Sequence, residues 1–208
     1  MAKAAGRIAV LGAGNIGGTL GRKWVAAGRQ VAFGVTDPNG AKAHALRADV
    51  GDKAPMTGAA EALQGANIVV FAIPGKAMDE TIAAHAAALD GKLVIDCANR
   101  MGEPSFNSHA TFQRLTPNAR YVRAFNSLGW ENFANATFAG GLADLFYAGP
   151  DADRAVVEAL IGEIGYHPVR VGDSEKASAV DLVSQLWFAL IPTYGRHLAF
   201  KALTDERS

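Results

Sequence analysis

The sequence predicts an α/β protein built on a doubly wound, mostly parallel sheet with a helical extension at its carboxyl end. Three observations predict it. Short apolar, β-branched runs alternate with alanine-rich stretches of helical period, the pattern of successive βαβ units. Several runs are apolar throughout, as strands covered on both faces are. A glycine-rich turn joins the first run to the first helical stretch.

Taken in order, strands are expected over 8–11, 30–34, 68–73, 93–96, 121–125, 145–148 and 168–171. Helices are expected between them, over 16–27, 39–48, 59–64, 77–89, 108–115 and 151–164. Asp151, following Pro150, is placed to cap the last of these. From 175 to 203 no strand follows, and Val180, Leu182, Val183, Leu186, Trp187, Phe188, Leu190 and Ile191 surround most of a helix. A helix apolar nearly all round is buried, here against the sheet or against a second subunit, and Pro192 is expected to kink it.

Composition narrows the function classes. Half of the 208 residues are hydrophobic, 19% are charged, and 20 Lys and Arg balance 20 Asp and Glu. Nucleic acid and anionic membrane, which call for a basic excess, are therefore not expected partners. Cys97 stands alone, so neither an internal disulfide nor a multi-cysteine metal cage is possible. The apolar stretch 182–191 is broken by Ser184 and Gln185 and closed by Pro192, short of the roughly 20 residues of a bilayer span. No signal-peptide core opens the chain, and a cytoplasmic protein is expected.

The motif that carries chemistry is Gly12-Ala13-Gly14-Asn15-Ile16-Gly17, set between strand and helix. In a Rossmann dinucleotide fold, Gly12 would permit the tight turn, Gly14 would leave room for the pyrophosphate, and Gly17 would let helix and strand approach. The free N–H groups of Asn15 and Ile16 would face the phosphates, with the helix dipole behind them. The chain is accordingly expected to form a dinucleotide-binding domain over 1–173 and a helical extension over 174–208, the latter packed on it or pairing two subunits as a homodimer.

The second strand indicates which dinucleotide. NAD-binding folds end that strand with an acid that holds the ribose hydroxyls; here the position falls on Val35. Thr36 could donate to a 2′-phosphate, with Lys42, Arg47 or Arg29 as the cation. Asp37 opposes this, although Asp37-Pro38-Asn39-Gly40 also reads as a plain turn. The balance favours NADP(H), with Thr36 as the contact.

Four segments together resemble the NADP oxidoreductases that depend on the deazaflavin coenzyme F420. They are the glycine loop, Val70-Phe71-Ala72-Ile73-Pro74, Val94-Ile95-Asp96-Cys97-Ala98-Asn99 and Arg123-Ala124-Phe125-Asn126-Ser127-Leu128-Gly129. The dinucleotide part is similar also to the cytoplasmic part of six-transmembrane metalloreductases and to pyrroline-5-carboxylate reductases. The resemblance implies hydride transfer between NADPH and a planar acceptor stacked on the nicotinamide. Ala72, Ile73 and Pro74 would line the cofactor channel, followed by Asn99 and Asn126 at the next strand ends. The chain departs from the archetype at Val35, Thr36 and Asp37, where basic residues are usual.

Such chemistry needs stacking and exclusion of water rather than an acid–base pair, and no catalytic side chain is assigned. Asn99 and Asn126 could hold the carboxamide, the ribose or the acceptor, or simply cap loops. His44, His85, His109, His167 and His197 read as surface or structural, without metal-ligand spacing, and no metal is expected. Cys97 reads as a small buried hydrophobe. Trp130 and Phe133 could wall an acceptor ring or belong to the core. Two other functions stay open: a reductase of a small imine, or of a flavin or metal, and a non-catalytic sensor of the NAD(P) pool.

Overall fold

Ile8, Ala9, Val10 and Leu11 are all buried. Successive strand residues point to opposite faces, so a strand with nothing to show to water must be covered on both. The computed structural model, which describes residues 6–205, shows how. Residues 1–5 and 206–208, the outer ends of the two expected domains, lie outside the described residues.

Strands β1 (Arg7–Leu11), β2 (Val31–Gly34), β3 (Met56–Thr57), β4 (Ala66–Phe71), β5 (Leu93–Asp96), β6 (Arg120–Arg123), β7 (Asp144–Ala148) and β8 (His167–Gly172) form one sheet. Its order is β3-β2-β1-β4-β5-β6-β7-β8. Every pair from β3 to β6 is parallel, β7 turns antiparallel to β6, and β8 runs with β7. The helices are α1 (Asn15–Ala26), α2 (Ala41–Val50), α3 (Ala59–Ala62), α4 (Met78–Leu89), α5 (His109–Leu115), α6 (Trp130–Ala134), α7 (Arg154–Glu163) and α8 (Ala177–Tyr194).

The alternation of the strands divides the apolar residues between two layers. Ile8, Val10, Phe33, Val70, Ile95 and Val122 pack with Leu20 and Trp24 of α1 and with Leu160 and Ile161 of α7. Ala9, Leu11, Val69, Phe71 and Val94 pack with Met78, Ile82 and Leu89 of α4 and with Phe112 of α5. Trp24 ties the first layer together: it stands edge-on to Phe125 and donates its indole N–H to Leu160 O at 3.1 Å.

The structure departs from expectation in particular places. β3 is two residues long and α6 a little over one turn, too short for either period to register. β4 and β6 stop at Phe71 and Arg123, although apolar residues continue; Ala72-Ile73 and Ala124-Phe125 are loop at the carboxyl rim of the sheet. Phe125 leaves the strand through a φ of 60°, a conformation rare for an aromatic residue. The last helix ends at Gly195 rather than running on to residue 203, and Pro192 lies in its final turn. Residues 195–202 return instead to β7, where Asp144 N donates to Phe200 O at 2.9 Å. Within one chain α8 is covered on one side: Ala177, Val180, Asp181, Ser184 and Trp187 face inward against β6 and β7, while Leu182 and Leu186 are 62% and 50% exposed.

One buried polar cluster joins these elements. Arg123, fully buried, donates to Asp181 Oδ1 at 2.8 Å, to Asn99 Oδ1 at 2.7 Å and to the carbonyl oxygens of Asp96, Ala98 and Phe106. Asp96 lies 3.2 Å from the guanidinium and also accepts from Ala98 N, Ser108 N and the Tyr121 hydroxyl, each at 2.9 Å. Burial works against the Arg123 charge, and the two carboxylates with their hydrogen bonds more than offset it, so the guanidinium stays protonated. Removing the cation would strand both carboxylates away from water. Arg123→Leu should cost about 3–5 kcal/mol, read as a lower urea midpoint at unchanged slope; a loss below about 1 kcal/mol would show that the cluster holds little.

Candidate dinucleotide site

The site begins where β1 ends. Gly12 turns the chain with a φ of 103°, and a Cβ there would stand 2.4 Å from Ala72 O. A Cβ on Gly17 would stand 2.1 Å from Gly12 O. The protein's own packing thus demands both glycines. Gly14 differs: a Cβ would meet no protein atom within 4 Å, so the protein's own packing does not require a glycine there and the position opens onto free space. Gly14 is also the N-cap of α1, contributes no side-chain cap, and is followed by a first turn without an acid. The N–H groups of Asn15, Ile16 and Gly17 have no acceptor within the helix and form a positive end.

A cavity of about 480 Å³ opens over this turn, lined by Gly12 to Gly14, Gly34 to Asp37, Gly40 to Ala43 and Ala72 to Pro74. Its far wall is the end of β2 and the start of α2. Thr36 is exposed there, and Lys42 stands on the first turn of α2, which also lacks an acid. Asp37 lines the cavity too, but its carboxylate closes its own turn: Oδ1 accepts from Asn39 N at 3.0 Å, and a Cβ on Gly40 would come within 2.8 Å of Oδ2. Of the other two candidate cations, Arg47 donates to Pro38 O at 3.2 Å and Arg29 pairs with Glu163 at 2.7 Å. Lys42 alone of the three lines the cavity.

The residues singled out from the sequence therefore fall into two places. Gly12, Gly14, Thr36, Ala72, Ile73 and Pro74 line the cavity, with Asn15, Ile16 and Gly17 at the head of α1 beside it. Asn99 and Asn126 lie further along the same rim. A Cβ on Gly75, next after Pro74, would stand 2.5 Å from Asn99 O, so the loops after β4 and β5 touch. Asn99 Nδ2 donates to Asn126 O at 2.9 Å. Sequence reasoning missed what holds this pair, namely Arg123, Asp181 and Ser184. The signal was present in an arginine that closes an apolar strand and an aspartate inside an otherwise uncharged helix.

Other candidates have structural surroundings. Phe133 is core between Phe125 and Tyr166, whereas Trp130 is 37% exposed. His109 stacks on Tyr121, and burial lowers its pKa; His167 meets Asp144 at 2.9 Å, and His197 stacks on Phe138. Cys97 is buried, and that burial, with Asp96 beside it, pushes the thiol well above its ordinary range. Among the described residues no group of His, Cys, Asp and Glu could hold a metal ion, and no helix is long and apolar enough to cross a membrane.

Comparisons with known proteins bear on the fold and the family. Residues 7–100 match the model of the family described as NADP oxidoreductase, coenzyme F420-dependent. A crystal structure from Arthrobacter sp. FB24, provisionally assigned as an F420-dependent NADP reductase, is 26% identical with a TM-score of 0.83, covering 96% of this chain and 100% of that one. A variant imine reductase of Myxococcus stipitatus solved with NAD+ is 21% identical, TM-score 0.69, over 91% of this chain and 64% of that one. A reductive aminase of Aspergillus terreus solved with NADPH is 18% identical, TM-score 0.68, over 90% and 61%. At those identities the last two show the fold alone. No curated protein matches the sequence. The resemblance read from the sequence is borne out, and the family and its first structural neighbour are NADP-dependent oxidoreductases.

Two expectations follow from the geometry. Gly14→Val should weaken NADPH binding at least about tenfold, measured by fluorescence titration, while the melting temperature stays near wild type; unchanged affinity would place the phosphates elsewhere. Cys97 should resist iodoacetamide in the folded protein near neutral pH and react on unfolding, because the thiolate is the nucleophile; rapid labelling of native protein would contradict its burial.

Proposed function

We propose that this NADP-dependent oxidoreductase passes a hydride between NADP(H) and a planar, flavin-like acceptor, with the deazaflavin coenzyme F420 the first candidate. The observation that carries the nucleotide is the cavity wall at Thr36 and Lys42. A hydroxyl, a cation and a helix N-terminus converge where NAD-binding folds place a ribose-binding acid. The one carboxylate nearby, on Asp37, is turned into its own loop. Gly12, Gly14, Asn15, Ile16 and Gly17 would hold the pyrophosphate, Thr36 and Lys42 the 2′-phosphate, and Ala72, Ile73 and Pro74 the channel towards Asn99 and Asn126.

The acceptor is argued from what the rim offers. When bound, the reduced nucleotide supplies the hydride. Reduction of an imine also needs a proton delivered at the site, but Asn99 and Asn126 are amides that do not titrate. The Cys97 proton is held by burial, and the Tyr121 hydroxyl donates to Asp96. A ring acceptor fits this rim better, because it takes the hydride as a delocalised ring anion and can collect its proton from water after leaving, with no donor needed at the site. The match over residues 7–100 and the Arthrobacter structure support the same choice.

A second copy of this chain is the proposed partner of the outer face of α8. Asp181 is the one charged residue in that helix and is buried, so two copies of the face, centred on Leu182 and Leu186, meet without like charges opposed. Leu186→Arg should lower the mass measured by light scattering to that of a monomer; a wild type already monomeric would remove this part of the proposal.

Mixed with NADPH, the protein should oxidise it with a deazaflavin or flavin and not with a cyclic imine, followed by absorbance. Turnover of the imine alone would favour an imine reductase, and tight binding without any turnover a sensor. Lys42→Ala should weaken NADPH roughly tenfold and leave NADH unaffected, as expected for one charged contact to a phosphate; equal losses for both nucleotides would overturn the assignment of the 2′-phosphate.

A further inference from the structure

We infer that α8 fixes the nicotinamide end of the site, and that Asp181 and Ser184 are positioning residues acting through Asn126, Arg123 and Asn99. This rests on the NADP(H) reading above. In a sheet of this order the two halves of a dinucleotide lie over the two halves of the sheet and cross at the β1–β4 switch point. The cavity over β1, β2 and the end of β4 takes the adenosine half. The other half is bounded by the loops after β4, β5 and β6.

The last two of those loops are held from outside. Ser184 Oγ donates to Asn126 O at 3.1 Å and, its proton so committed, accepts from Asn126 Nδ2 at 2.7 Å. Asp181 accepts from Arg123 Nε at 2.8 Å and from Asn126 Nδ2 at 3.4 Å through Oδ1, and from Asn107 Nδ2 at 2.6 Å through Oδ2. Arg123 passes the constraint to Asn99 Oδ1, and Asn99 Nδ2 returns it to Asn126 O. All of these except Asn99 are buried.

Two further observations give the arrangement a purpose beyond stability. With the amide nitrogen of Asn126 fixed by α8, its Oδ1 is fixed as well, and that oxygen is buried without any hydrogen-bond partner. A buried acceptor left open is costly to the fold and is explained by a donor that arrives with a ligand; the carboxamide of a nicotinamide carries such a donor. The residue before it, Phe125, is held at a φ of 60° between Trp24 and Phe133. Strain of this kind persists only where the surroundings over-determine it, and it gathers at ligand sites.

The test compares two ligands, NADPH and 2′,5′-ADP, which has the adenosine end and no nicotinamide. Ser184→Ala should leave the affinity for 2′,5′-ADP within about twofold of wild type and weaken NADPH roughly tenfold, the effect of one buried hydrogen bond. The fluorescence of bound NADPH should move towards that of the free nucleotide. Asp181→Asn, which keeps an oxygen for Arg123, should show the same split. Wild-type affinities for both ligands, or equal losses for both, would overturn the inference while leaving the nucleotide reading intact. A wild type that binds neither ligand would overturn both.

Discussion

A guanidinium placed beyond the reach of water must find acceptors for all its N–H groups, and that requirement organises the carboxyl rim of this protein. Arg123 meets it by drawing together the end of β5, the segment around Phe106 and helix α8. Beyond the guanidinium, Asp96 also receives two backbone N–H groups and a phenol, and Asp181 receives amides, so neither carboxyl group is left without partners. Each partner is satisfied only in one geometry, so the cluster specifies position more than it adds stability.

The rest of the site depends on a different economy. Over β1, β2 and β4 the proposed dinucleotide would be met mainly by backbone, and backbone can approach only where side chains are absent. Gly12 and Gly17 are absences that the fold needs; Gly14 is one that the fold does not need and that the proposed dinucleotide would use. A short turn thereby does two jobs, closing a strand against its neighbours and presenting a helix end to phosphate. The two halves of the rim are built on opposite rules, open backbone in one and locked side chains in the other.

Much of this was legible in the sequence because it rests on local pattern. Ile8 to Leu11, Leu93 to Asp96 and the turn from Gly12 announce themselves by composition and spacing, and the missing acid at Val35 can be counted. What was illegible depends on residues far apart in the chain. Nothing near Arg123 says that its partner is Asp181, and the brief β3 and α6 exist because neighbouring elements give them places to pack. Which face of α8 meets the sheet was illegible for a related reason: Leu182 and Trp187 look alike to a hydrophobicity pattern, yet only Trp187 faces the sheet.

The reversal between β6 and β7 has a consequence for how the protein can vary. Because β7 and β8 run against the other strands, the segments that follow them emerge on the opposite edge of the sheet from the glycine turn. The turns around Gly149 and Asp173 therefore stand away from the cavity at the glycine turn, and substitutions of exposed side chains there would leave that cavity unchanged.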